Sequence, residues 1–133
     1  MSDANELTLL GSGPTPAPTN PIDGASQLES IQIDPAVTEV RFSTDELLAF
    51  CPVTNQPDYY DCELTLTPTG GRSVETKTLK QYLASWRDEG IFAENLAAAI
   101  ATDIARATGA AVQCDLSQHV RGGIRITATA TAG

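Results

Sequence analysis

Between residues 59 and 109 the spacing of apolar side chains changes once, from every second residue to a helical repeat, which limits the chain to a sheet with helices laid on it. Cys62, Leu64 and Leu66 alternate with Glu63, Thr65 and Thr67, the pattern of a half-buried antiparallel strand over 59–67. Pro68-Thr69-Gly70-Gly71 breaks that strand. Leu79, Tyr82, Leu83 and Trp86 then fall at i, i+3, i+4 and i+7, the apolar stripe of a first helix that starts after Ser73, a residue suited to N-capping. Leu96, Ile100 and Ile104 form the spine of a second helix over about 94–108, closed by Gly109. Further strands are expected at 37–42 before this block, and at 111–116 and 124–130 after it. The class is therefore α+β.

At 133 residues the chain can bury one core but hardly two. Residues 1–30 read as a flexible tail: Pro14, Pro16, Pro18 and Pro21 lie among Gly, Ser, Thr and Asn, and no Lys or Arg precedes Arg41. The short apolar run of Leu7, Leu9 and Leu10 is the exception within it. Residues 31–133 then make a single domain. A formal charge of −9 argues against direct nucleic-acid binding, which rests on Lys and Arg neutralising phosphates. No run of eighteen or more apolar residues exists, so no membrane span is expected. The N-terminus, with Asp3 and Glu6, lacks the basic region of a signal peptide, and cytoplasmic residence is the default.

Three cysteines, Cys51, Cys62 and Cys114, leave an odd one in any disulfide scheme and read as free thiols. Together with His119, the sole histidine, they could make four zinc ligands. No pair has the short spacing of a structural zinc site, so no metal is expected. Cys62 and Cys114 fall in expected strands, where a buried cysteine is a small hydrophobe. Cys51 differs, because Cys51-Pro52-Val53-Thr54-Asn55-Gln56-Pro57-Asp58 places a thiol and a carboxylate in one tight loop. A thiol attacks only as thiolate, so a proton acceptor nearby makes this loop a candidate active site. On the first helix Lys77, Lys80 and Arg87 cluster away from the apolar stripe. A solvated face and a site for an anionic ligand both explain that cluster. Glu94 and Glu75 equally suit the first turn of a helix or a ligand.

The Cys-Pro-x-Thr-x-Gln-Pro-Asp loop, followed by Glu75-Thr76-Lys77-Thr78-Leu79-Lys80-Gln81-Tyr82-Leu83 and then by Arg121-Gly122-Gly123-Ile124, resembles the NADPH-dependent 7-cyano-7-deazaguanine reductases. The resemblance spans about 40–126. It implies the tunnelling fold, a four-stranded antiparallel sheet with two helices on one face, whose subunits join into an oligomeric barrel with active sites between them. It implies that Cys51 attacks the nitrile carbon to form a thioimide, that Asp58 is the general acid and base, and that two NADPH reduce the nitrile to an aminomethyl group. By the same resemblance Glu94 and Glu75 bind the deazapurine substrate, while Lys77, Lys80, Arg121 and Gly122 hold the cofactor. The family usually carries a histidine immediately before the Glu94 position, and this chain has Ala93. Relatives of this fold that form an amidine from the nitrile, or remove a 7-carboxyl group, use no NADPH and are the alternative. The pathway stays open between queuosine in tRNA and modified deazaguanines in viral DNA.

Overall fold

The longest unbroken alternation in the sequence becomes β3 (Pro57–Thr67), whose side chains switch between exposed and buried from end to end. The computed structural model describes residues 16–133; residues 1–15, with Leu7, Leu9 and Leu10, lie outside the described residues. On one side β3 pairs with β2 (Val40–Phe50) and on the other with β5 (Ala111–Arg121), which pairs in turn with β6 (Ile124–Ala132). All three pairings are antiparallel, giving one four-stranded sheet in the order β2-β3-β5-β6.

The strand expected at 37–42 starts later and runs further. Val37 instead donates its N–H to the Asp34 carbonyl in a turn, and β2 continues to Phe50. Its register explains the difference: Thr44 pairs with Cys62 but Leu47 with Tyr60, so three steps on β2 match two on β3. One extra residue is a β-bulge, which shifts the phase of the alternation. Phe42 before the bulge and Leu47 and Ala49 after it therefore turn to the same side, and a strict period of two stops at Phe42.

A second, two-stranded sheet pairs β1 (Ser30–Gln32) with β4 (Arg72–Val74). Ser73 lies in that strand and does not cap the helix. The cap of α2 (Thr76–Ala84) is Glu75, whose carboxylate accepts the backbone N–H groups of Lys77 and Thr78. Leu79 and Tyr82 on α2, and Trp86 on the 3-10 turn Ser85–Asp88 that continues it, are buried as the stripe requires. The second expected helix is α3 (Ala93–Thr108), ended by Gly109 at φ 74°. Ile100 and Ile104 of α3 meet Leu64 of β3 and Leu116 of β5 in one core, so α2 and α3 cover a single face of the large sheet. The Tyr82 hydroxyl donates to Asp103 at 2.6 Å and ties the two helices together.

Order begins before the expected boundary at residue 31. A short helix, α1 (Pro21–Ser26), is capped by Asn20, and Leu28 beyond it is in the core. Gly24 is buried where α1 crosses α2: a Cβ there would lie 2.6 Å from Ser85 Oγ and 3.3 Å from Tyr82 Cδ1. Overpacking of this kind costs roughly 1–3 kcal/mol. Gly24→Ala is therefore expected to lower stability by about that amount in urea unfolding. An unchanged midpoint would show that α1 is not held against α2.

Candidate active site

The β2–β3 hairpin closes around the thiol. Ala49 pairs with Asp58 and Phe50 with Pro57, and the loop between them is held by Cys51 N–H to the Gln56 carbonyl at 2.9 Å and Asn55 N–H to the Cys51 carbonyl at 2.8 Å. Asn55 takes the left-handed conformation this tight loop needs, with φ 56°. Asparagine tolerates that region better than most side chains. The same hairpin grips the entry to α3: Phe50 N–H donates to the Glu89 carbonyl at 2.8 Å, and Ile91 N–H returns to the Phe50 carbonyl at 3.0 Å. That lashing brings the first turn of α3, with Ala93 and Glu94, to the edge of the thiol loop.

Cys51 is part-exposed, and its pKa is lowered from the ordinary thiol value. The Thr54 hydroxyl is the largest cause, followed by the backbone N–H groups of Thr54 and Val53; burial and the nearby Asp58 charge oppose them. Donors aimed at sulfur stabilise the thiolate, which is the nucleophilic form.

Asp58 is 4% exposed and pairs with Arg121. A second bulge makes the pairing possible. Gln118 pairs with Ile126 but Arg121 with Ile124, so β5 carries one extra residue before its end. Without it the alternation of Val112, Cys114 and Leu116 would send Arg121 to the opposite face from Asp58. The Arg121 guanidinium also donates to Gln56 Oε1, to Thr54 Oγ1 at 3.3 Å, and to the Pro57 carbonyl at 3.5 Å. Gly122 and Gly123, at φ 59° and 77°, make the two-residue turn that follows. Both residues of such a turn need positive φ, which explains the glycines in Arg121-Gly122-Gly123-Ile124.

Tyr60 stands behind these groups. Its phenol is pushed up to about 12, first by burial and then by the charges of Asp58, Glu94 and Cys51, with Arg121 opposing. Its hydroxyl lies 3.3 Å from Gln118 Oε1, to which it donates. Cys51, Asp58, Glu94 and Arg121 therefore share one neighbourhood. Glu94 is exposed, free to meet a ligand, while Ala93 beside it is 2% exposed.

The other expected site residues are placed differently. Both carboxylate oxygens of Glu75 are engaged in capping α2. Lys77 and Lys80 take part in no ion pair among the described residues. Lys80 lines a groove of about 630 Å³ between α2 and β2, with Arg41 also on its wall and Phe42, Leu79 and Leu83 among its apolar residues. Cys62 and Cys114 are buried in the core, whereas His119 pairs with Asp61 at 3.4 Å on the exposed side of the sheet. Sequence reasoning missed Tyr60, and it missed Thr54 and Gln56 as partners of Cys51 and Arg121. Thr54 and Gln56 stand in the Cys51–Asp58 loop, but their roles need the fold.

The sequence model of the family described as QueF-like protein matches residues 57–133. A protein of Frankia casuarinae named NADPH-dependent 7-cyano-7-deazaguanine reductase is 42% identical over 106 residues, 78% of this chain and 83% of that one. Its namesake from Thermotoga maritima is 33% identical over 75% of this chain and 74% of its own. Among solved structures, an archaeosine synthase QueF-Like in the apo form superposes with a TM-score of 0.67 at 20% identity, covering 74% of this chain and 96% of that one. That likeness shows the fold.

Because thiolate donors lower the Cys51 pKa, alkylation by iodoacetamide should persist at pH values below the ordinary thiol range. Thr54→Val removes the largest contribution, so the pH midpoint of the alkylation rate is expected to rise. An unchanged midpoint would take the hydroxyl out of the account.

Proposed function

The chain belongs to the QueF-like protein family, and from that premise we propose that it reduces the nitrile of 7-cyano-7-deazaguanine to 7-aminomethyl-7-deazaguanine with NADPH. The observation that carries this reading is the β2–β3 hairpin, where a thiol stabilised as thiolate and a buried carboxylate stand in one closed loop. A nitrile carbon is electrophilic. Addition of the Cys51 thiolate forms one C–S bond, and the nitrogen must take a proton as its charge develops. Asp58, a carboxylate against Arg121, is the group of the loop suited to take the proton that the Cys51 thiol loses and to pass it to that nitrogen, so one C–N π bond is spent and the product is a covalent thioimide. Glu94, exposed at the rim, suits the paired amide and amine donors of a guanine-like ring.

NADPH, when bound, would supply one hydride, and two NADPH in turn would carry a nitrile carbon to the amine level. The residues present fit such a group. Lys77 and Lys80 offer ammonium groups without ion pairs among the described residues for its phosphates, and the groove beside Lys80 sets that lysine and Arg41, itself paired with Glu39, beside Phe42, Leu79 and Leu83, with Glu46 as the acid on the same wall. With its carboxylate committed to the cap, Glu75 serves by holding the start of α2, and so both lysines, in place.

Assembly into a closed barrel belongs to the same proposal. The strands β2 and β6 are the edges of the large sheet, and such edges call for pairing or cover. Val53, Tyr59, Phe92, Val120 and Ile124 are exposed apolar side chains within a few residues of Cys51, Asp58, Glu94 or Arg121. A second subunit there would cover them and wall the site.

Ala93 favours a second reading, in which the same pocket runs a reaction without NADPH, either amidine formation from the nitrile or removal of a 7-carboxyl group. With no imidazole beside Glu94, proton transfer falls to other groups. Incubation with 7-cyano-7-deazaguanine alone should give a one-to-one mass adduct that Cys51→Ala lacks. Asp58→Asn should slow its formation by roughly a hundredfold or more, as expected for a lost general acid. Adding NADPH should then bleach the reduced-nicotinamide absorbance. Lys77→Ala with Lys80→Ala should raise the NADPH requirement and leave the adduct intact. An adduct without NADPH oxidation would overturn the reductase in favour of amidine formation. Carbon dioxide release from 7-carboxy-7-deazaguanine without an adduct would favour the decarboxylase.

A further inference from the structure

We propose that Arg121 is a positioning residue: from the β5–β6 turn it fixes the Asp58 carboxylate and the thiol loop against each other, rather than holding a cofactor phosphate. The inference deepens the proposed nitrile addition and rests on it. Arg121 donates to Asp58, Gln56, Thr54 and the Pro57 carbonyl, four residues of the loop that begins with Cys51. A guanidinium is planar and presents several donors in a fixed fork, so it can bind a carboxylate, an amide and a hydroxyl at once. Lysine, with one compact ammonium, cannot reproduce that fork.

The turn geometry gives this contact its reach. The bulge in β5 rotates Arg121 onto the face that carries Asp58, and the two glycines then reverse the chain at once, which leaves Arg121 at the tip. Its side chain is one-third exposed, at 33%, while that of Asp58 is 6% exposed, so the contact is shielded more on the carboxylate side than on the cation side. Occupied by this loop, the guanidinium has little donor capacity left for a phosphate. Lys77 and Lys80 carry no such commitments among the described residues.

Two consequences follow for the chemistry. The carboxylate stays aimed into the loop, where a proton must reach the nitrile nitrogen. Thr54, whose hydroxyl stabilises the Cys51 thiolate, is held from its other side. Asp58 is the charge that acts on Cys51 itself; Glu94 on α3 and Arg121 at the end of β5 gather with both of them about the Tyr60 phenol, and Glu89 stands in the turn paired to Phe50. Loss of Arg121 leaves the Asp58 charge, which opposes the thiolate, without its partner and frees the Thr54 side chain. Both changes disfavour the thiolate.

A double-mutant cycle on adduct formation, without cofactor, tests the assignment. Misplacing a catalytic group by about an ångström costs on the order of a hundredfold, so Arg121→Gln is expected to slow the adduct by up to that factor. In the Asp58→Asn background Arg121→Gln should slow the adduct by clearly less than it does in wild type, because the Asp58 arm is already lost and only the Thr54 arm remains. Arg121→Lys should fall between wild type and Arg121→Gln, and NADPH affinity should stay unchanged in all three. Fully additive losses, or a loss confined to NADPH affinity with the adduct rate intact, would overturn the proposal. If wild type forms no adduct, the nitrile reading fails but the positioning role is still read on Cys51 with iodoacetamide. There Arg121→Gln should move the pH midpoint upward, and an unmoved midpoint would overturn it. Should Arg121→Gln fail to fold, Gln56→Ala removes one arm of the clamp at an exposed position. It should slow the adduct and raise the alkylation midpoint in the same direction, less strongly; no change in either would overturn the proposal.

Discussion

The whole structure depends on keeping one face of the large sheet apolar while its strands run past the regular ladder. Each long strand supplies alternate side chains to a shared core under α2 and α3, and a slip of one residue would exchange core for solvent. Two bulges, in β2 and in β5, add one residue each, and both lie toward the same end of the sheet. The first keeps Leu47 and Ala49 in the core after the phase has shifted and so delivers Cys51 at the hairpin. The second turns Arg121 toward Asp58. Chemistry is thus assembled where the regular pairing gives way, on a scaffold that stays regular elsewhere.

A buried carboxylate constrains what can stand next to it. An ionised group out of water is costly unless it is paired and hydrogen-bonded, and removing the partner leaves that cost in place. Asp58 meets the requirement through Arg121, one of only 8 basic residues against 17 acidic ones. In such a chain cations near carboxylates are scarce. Two of the others, Lys77 and Lys80, stand unpaired among the described residues on a helix whose cap is itself a carboxylate. Lys80 lines the groove between α2 and β2, where the acid Glu46 also stands, and Lys77 lies outside that lining; it is the proposed function that gives the two lysines an anionic ligand.

What the sequence made legible was set by periodicity. β3, the apolar stripe of α2 and the span of α3 follow from spacing alone, because each buries one face against one core. The strand expected at 37–42 exists but was cut short at Phe42, because a bulge changes parity and period-two counting cannot cross it. Ser73 was misplaced as a cap because the pairing of β4 with β1, a contact between residues far apart in sequence, claims it first. α1 was hidden by composition: six residues with two of low helix propensity, Pro21 and Gly24, make a helix only when capped by Asn20 and packed against α2. In the site, Cys51, Asp58 and Glu94 were visible as chemistry. The partners of Arg121 were not, since nothing in a linear pattern says which face an arginine takes after an extra residue.

The substitution at Ala93 sets the proton inventory of the pocket. An imidazole beside Glu94 would titrate near neutral pH; an alanine does not titrate at all. Tyr60 does not replace it, because burial and three neighbouring negative groups hold its phenol near 12, where it keeps its proton and donates it to Gln118. His119 does not replace it either: with Asp61 it occupies the opposite face of β3 and β5. In the proposed nitrile addition, with Glu94 given to the ring donors, the groups left to exchange protons with the nitrile nitrogen are the Cys51 thiol and the Asp58 carboxyl. For the proposed nitrile addition the first proton transfer is therefore concentrated on one hairpin loop, and the arginine proposed to brace that loop then carries more of the task than in a pocket with a histidine to share it.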